Sequence, residues 1–294
     1  MKHKNSISIL VLFIVLFSFT AAATGIFSGG GPGQYEFTSI HGEKVLIYGK
    51  GIYKDMSAEV APQGIAQDVV TLFLGIPLLI ISLHLARKGL LKGRMLLAGT
   101  LGYFLVTYLF YLTMGMYNKL FLVYVILLST SFFAFAQTML SFDLNSLGSS
   151  FKQTLPVKLV GGFLIFQSFM VGLLWLSLIV PPLLTGTLPA GLDHYTTLIV
   201  QGLDLAILLP TGFLSGVLLL RRNPFGYLLA PVFTNFLVLL MTALTAKVIG
   251  QMLLGVDVGF PVMIVIPLFN LTAIFSSILI LKNVKEKSNY GSAA

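Results

Sequence analysis

Cysteine is absent from the 294 residues, charged residues make up only 10%, and tryptophan occurs once. Without cysteine there are no disulfides, no thiolate nucleophile and no cysteine-ligated metal. The histidines, His3, His41, His84 and His194, lie far apart and form no HxxxH or HExxH pair, so the chain spells out no local zinc site. Walker and dinucleotide-binding fingerprints are also missing, and no cofactor or metal is expected. The shortage of charge is the most informative absence, because soluble domains carry roughly 25% charged residues.

Apolar residues fill the space the charges leave. The chain is 56% hydrophobic with a mean hydropathy of +0.95, and the apolar residues come in runs near the length that crosses a hydrocarbon layer. The runs are continuous rather than alternating, which excludes a transmembrane β-barrel. The fold class read from this pattern is an all-α polytopic helical membrane bundle. Its first run, Ser6 to about Ala23, comes after Lys2, His3 and Lys4 and reads either as a signal anchor or as a signal peptide cleaved after Ala23. Seven more runs are present, at about 65–86, 95–117, 119–139, 159–181, 198–220, 226–252 and 261–281. The count is therefore eight spans, or seven if the first is removed. The expected organisation is a 1–24 signal segment, a 25–64 extracytoplasmic segment, a 65–285 membrane domain and a 286–294 tail.

Basic residues orient the spans. Lys2, Lys4, Arg87, Lys88, Lys92, Arg94, Lys152, Lys158, Arg221, Arg222, Lys282, Lys285 and Lys287 all fall on one side when eight spans are drawn. The positive-inside rule makes that side cytoplasmic, with the C-terminus on it, and the expected location is the cell membrane. The net charge of +8 is spread over these short clusters. That distribution fits lipid headgroups as partners and argues against nucleic acid. In the outer segment, Tyr35–Ile40 and Lys44–Tyr48 flank His41-Gly42-Glu43 and predict a short β-hairpin.

Two stretches resemble each other, one beginning at Ile65 and the other at Ile199. An offset of 134 residues pairs Gln67 with Gln201 and Arg87-Lys88 with Arg221-Arg222, while Pro77 and Pro210 miss by one. The resemblance suggests a parallel 4+4 internal repeat, an arrangement some transporters use. Compositional likeness between leucine-rich spans is the competing explanation.

Ionisable side chains at membrane depth are costly and mark candidate sites. Asp68, Asp204 and Lys247 are predicted at similar depth in the outer third, where a lysine between two carboxylates would form an ion network. Gln67, Gln201 and Gln251 would extend it, and Asn270, just after Pro267, is a further candidate for substrate or ion binding. The bland alternatives are helix capping by the aspartates, snorkelling by Lys247 and helix bridging by the amides. Asp193 reads as a cap for the next helix, Tyr117 and Tyr195 as outer-belt residues, and Tyr103, Phe110 and Tyr117 as one face of a helix.

The function that uses these features is a small-solute or ion permease with an outer-facing polar site. A second reading is a non-transport membrane sensor, assembly factor or accessory subunit. A lipid-acting intramembrane enzyme ranks third, since it calls for clustered acids and histidines or a serine–histidine pair, and none is apparent. No catalytic residue is assigned. Besides lipids, the expected partners are a small solute or cation and either a second copy or another membrane protein. A channel would need a repeated carbonyl filter, and a retinal protein would need a lysine in the last span; neither is present.

Overall fold

The computed structural model describes residues 3–253 and 258–286. The expectations for Lys2, Lys287 and the tail beyond Glu286 lie outside the described residues. Eight helices dominate: α1 Lys4–Phe27, α2 Ala61–Arg87, α3 Leu91–Thr113, α4 Phe121–Leu140, α5 Val157–Thr185, α6 Ile199–Leu220, α7 Pro224–Leu253 and α8 Phe260–Asn283. All eight spans are long and apolar enough to cross a membrane. The chain is accordingly a multi-pass integral membrane protein with an all-α bundle.

The helices differ in how much of their surface meets protein. α3 and α7 are each 67% buried over their most apolar window, whereas the other six are 22–39% buried. These two central helices pack on each other, with α2 and α4 against α3, and α2, α6 and α8 against α7. α1 packs on α4 and α2, and α5 packs on α6. The close central contact is made at Gly99, where an added Cβ would sit 2.8 Å from the Val232 carbonyl oxygen and 3.0 Å from the Phe236 nitrogen. Without a hydrophobic effect to drive helices together in lipid, such small-residue contacts allow the backbone approach that packing requires.

Several ends depart from the apolar runs. α3 begins at Leu91, four residues before the run, and stops at Thr113, so Tyr117 lies beyond it and shares no helix face with Tyr103. Its early start has a distant cause: the Glu286 carboxylate accepts the Leu91 and Lys92 amide N–H groups at 2.8 and 2.9 Å. A negative charge on two free amides at a helix N-terminus is stabilising. The same end of the bundle is braced by Lys152 N–H donating to Asn283 and Lys285 N–H donating to Ser150. Glu286→Ala is expected to cost about 1 kcal/mol, the range of an N-cap loss. Thermal unfolding in detergent would read this as a lowered midpoint. α5 runs past Pro181 and Pro182 to Thr185 and ends on Gly186, whose left-handed φ of 70° closes the helix.

The outer segment holds a two-stranded antiparallel sheet, β1 Tyr35–Thr38 and β2 Lys44–Ile47, paired from Tyr35↔Ile47 to Thr38↔Lys44. Gly42, at φ 83°, allows the turn between the strands. A small cluster of Tyr53, Met56 and Ala61 anchors this segment to the outer helix ends. It also reaches the loop before α6: Ser57 N–H donates to the Tyr195 hydroxyl at 3.4 Å, and His194 Nε2 bonds the Asp55 carbonyl at 2.9 Å. Tyr195 is therefore buried rather than in an outer belt. Asp193 does not cap α6. It adopts a left-handed φ of 53°, and the helix starts six residues later at Ile199.

α2 and α6 share an irregularity. Each contains one π-helical stretch, Thr71–Gly75 in α2 and Asp204–Leu208 in α6, with a proline two residues further on, Pro77 and Pro210. Gly93 of α3 and Gly226 of α7 make matching approaches, to the backbone of Leu85–Ala86 and of Leu218–Leu219. Each of these matched positions is separated by 133 residues, one fewer than the offset suggested by the basic pairs.

Candidate functional site

A cavity of about 450 Å³ opens among α2, α3, α5, α6, α7 and α8, beneath the outer segment. Most of its wall is apolar, including Val106, Leu209, Phe236 and Leu240, and a few polar groups interrupt it. Gln67, Gln201, Asp204 and Lys247 all line it, while Glu59 and Asp193 line the part contributed by the outer segments. A mostly apolar concavity with sparse, convergent polar groups is the usual form of a small-molecule site.

The irregular turns bear on this placement. A π-turn adds a residue to a helical turn and rotates the part of the helix beyond it, and such bulges are frequent at functional sites. Asp204 is the first residue of the α6 π-stretch, and its carboxylate accepts the Trp175 indole N–H at 2.9 Å. In α2, Gln67 precedes the π-stretch, and its amide donates to the Tyr103 hydroxyl at 2.8 Å and to Thr107 at 3.0 Å. Tyr103 also bonds Thr71, the first residue of that stretch, at 2.8 Å.

Asp68 has a different environment. Only 1% exposed, it sits behind the cavity wall. Tyr53 donates to its Oδ2 at 2.5 Å, and Tyr111 donates to its Oδ1 at 2.9 Å. Both tyrosines line the cavity, so they separate the carboxylate from it. On the far side Gly25 of α1 leaves the room the carboxylate needs, because a Cβ there would overlap Oδ2. Asp68 is the eighth residue of α2 and caps no helix end.

Lys247 lines the cavity, as Asp204 does. No direct ion pair within 4.0 Å joins it to either aspartate; among the described residues, the only such contact is Lys44–Glu36, at the exposed hairpin. The three ionisable groups thus surround one region without closing a contact network. Gln251 and Asn270 are not on the cavity wall. Asn270 lies within hydrogen-bond distance of Thr242, at 3.2 Å, and Thr245, at 3.4 Å, and so bridges α8 to α7.

Two further wall residues, Trp175 and Tyr53, carried little signal in the sequence, whereas Gln167 is visible there as a mid-span amide. Trp175 and Tyr53 resemble ordinary interface aromatics until their hydrogen bonds are seen. Gln167 and Ser168 are 3% and 4% exposed, and their Oε1 and Oγ atoms have no hydrogen-bond partner among the described residues. Buried polar atoms of this kind call for a partner, and here they belong to side chains on the cavity wall. Outside the spans, burial raises the phenol pKa of Tyr53, and the Asp68 charge adds to the effect. Burial likewise raises that of Tyr195. Both hydroxyls are therefore protonated at neutral pH, that of Tyr53 donating to Asp68 and that of Tyr195 accepting from Ser57.

Among the described residues no group of three or more histidines and acids is placed to hold a metal ion. Compared with family models, curated proteins and solved structures, the chain matches none, and its function is to be read from its own residues.

Proposed function

We propose that the chain is a permease that binds a small molecule in the cavity between α1–α4 and α5–α8, and that these are two four-span halves of a parallel repeat. The observation that carries this reading is the cavity itself, with Asp204, Lys247, Gln67 and Gln201 on a wall built by helices from both sets. The 133-residue spacing of the π-stretches, their prolines and the two close-packing glycines supports the repeat. Two similar halves meeting at a central site are an economical basis for alternating access, since one rigid unit rocks against the other. The positive-inside bias places the outer segment, and with it the cavity mouth, away from the cytoplasm.

The absence of native cysteine permits a test that needs no substrate. Ser168→Cys introduces a thiol of nearly the same size on the cavity wall. Under the permease reading, a membrane-impermeant maleimide labels it in right-side-out and in inverted vesicles, the slower of the two by about 10- to 1000-fold, because the minor access state holds about 0.1–10% of the population. Labelling confined to the outer face would favour the second reading, a sensor or accessory subunit with a fixed outward pocket.

A further inference from the structure

The cavity has a still more apolar neighbour. Between α3, α4 and α6 runs a second hollow of about 580 Å³, walled by Leu109, Leu128, Phe132 and Ile207 among others, with Ser129 as its sole polar residue. Val106, Phe110 and Leu208 line both hollows, so the two adjoin across these three apolar side chains. Val125, Phe132 and Ile207 are exposed, which places the groove on the flank of the bundle. In a membrane that flank faces acyl chains. The π-stretch of α6 forms the junction: Asp204 at its start faces the polar cavity, while Ile207 and Leu208 near its end line the groove.

We infer that the molecule taken by this site is a zwitterionic phospholipid that enters from the bilayer through this groove. Its acyl chain occupies the groove, its phosphate meets Lys247, and its amine points outward to Glu59 and Asp193. The inference rests on the permease reading and names the class of its substrate.

Three observations favour a lipid over a water-soluble solute. A hydrophilic solute uses the polar cavity and leaves the adjoining apolar hollow unoccupied, whereas an amphiphile fills both. Among the described residues, Lys247 is the only lysine or arginine on the cavity wall, and it has no carboxylate within 4.0 Å, so it is available to an anionic group. Glu59 and Asp193 come from the segments before α2 and α6, on the outer side of Lys247, and one oxygen of Asp193 is buried without a hydrogen-bond partner. An amine outboard of a phosphate matches that order of charges. Gln167 and Ser168 then supply hydrogen-bonding groups between the phosphate and the chain.

Trp175, the only tryptophan, lines the cavity and reports on its contents. The test titrates the full-length chain in detergent with lysophosphatidylethanolamine carrying a dibrominated stearoyl chain, whose bromines quench tryptophan at short range. Saturable quenching that the unbrominated lipid reverses is expected. Its apparent affinity should fall at least tenfold in Lys247→Gln, and at least tenfold in Ser129→Phe or Leu203→Phe, two independent ways of filling the groove. The brominated lysophosphatidylglycerol analogue should bind at least tenfold more weakly than the ethanolamine lipid.

Equal binding of the two headgroups would overturn the assignment of the amine. Quenching unchanged by both groove-filling variants would overturn entry through the groove. Saturable binding of water-soluble glycerophosphoethanolamine, with no saturable lipid quenching, would overturn the lipid class yet leave a permease standing. No response to any of these ligands overturns the inference alone, because two-sided labelling of Ser168→Cys judges the permease reading without a ligand.

Discussion

Tyr103→Ala is expected to lower the stability of the bundle by about 3–5 kcal/mol, the range for removing a large aromatic side chain from a packed interior. The tyrosine is fully buried, and its ring lies against Phe104 and below Gly75. Its hydroxyl is the shared partner of Gln67 and Thr71, on either side of the point where α2 changes to π geometry. Truncation leaves a cavity and removes one partner each from a buried amide and a buried hydroxyl, and the costs add. Tyr103→Phe separates them. It keeps the ring, and Gln67 retains Thr107, so the expected loss is only about 1 kcal/mol. Thermal unfolding in detergent should rank wild type above Tyr103→Phe and Tyr103→Phe well above Tyr103→Ala. If Phe and Ala cost the same, polar pairing rather than packing would dominate at this position.

Gly99→Ala should destabilise the bundle, while Gly102→Ala, one turn away on the same helix, should not. Alanine is favoured over glycine by about 1 kcal/mol in a helix interior, so both changes begin with a gain. At Gly102 the nearest atom to an added Cβ is 3.7 Å away, ordinary van der Waals contact, and the gain survives. At Gly99 the Cβ meets the Asn235 Cβ and the backbone of Val232 and Phe236, which no rotamer change relieves. α3 and α7 must then separate, and overpacking of a tight contact costs about 1–3 kcal/mol or more. Gly99→Leu extends the overlap and should abolish recovery of folded protein. Unfolding midpoints of the two alanine variants shifting in opposite directions would verify the close approach; equal midpoints would refute it.

This contrast also marks the limit of sequence reading. Gly99 and Gly102 are alike as residues in an apolar run, and only the position of α7 distinguishes them. The existence of the helices was legible because uninterrupted apolar length is set by the thickness of the solvent they inhabit. Their ends were less legible. The start of α3 depends on Glu286, 195 residues away in sequence, and hydropathy has no means of registering such a partner. The sheet pairing was foreshadowed by two short runs around Gly42, whereas the cluster of Tyr53 and Met56 that seats it was not.

The site was legible in part for the same physical reason. Asp204, Lys247, Gln67 and Gln201 stand out because polar groups are scarce in a span, and they do line one cavity. Asp68 stands out equally, yet two tyrosines screen it from that cavity, and an aspartate carries no mark of which neighbours will surround it. Asn270 and Gln251 show the reverse limit, since a span amide looks the same whether it lines a cavity or bridges two helices. The π-stretches left no direct trace beyond the prolines that come after them. Those prolines keep the 133-residue spacing of the π-stretches, which the basic pairs at the helix ends miss by one.

The two ends of the bundle are held together very differently. At the end away from the hairpin, the Glu286 carboxylate grips two amides of α3, and the chain around Asn283 and Lys285 is laced to the loop between α4 and α5 by backbone hydrogen bonds. At the outer end, a 3.4 Å bond to Tyr195, a histidine–carbonyl contact and the Phe37–His194 edge contact span the gap. If the two sets of helices rock as proposed, a tilt of α5–α8 against α1–α4 has its fulcrum at the laced end, and the leverage is greatest where the clasp is weakest. Prising apart that rim breaks a few long or edge-on contacts; swinging the other way must first strip a carboxylate from a helix start.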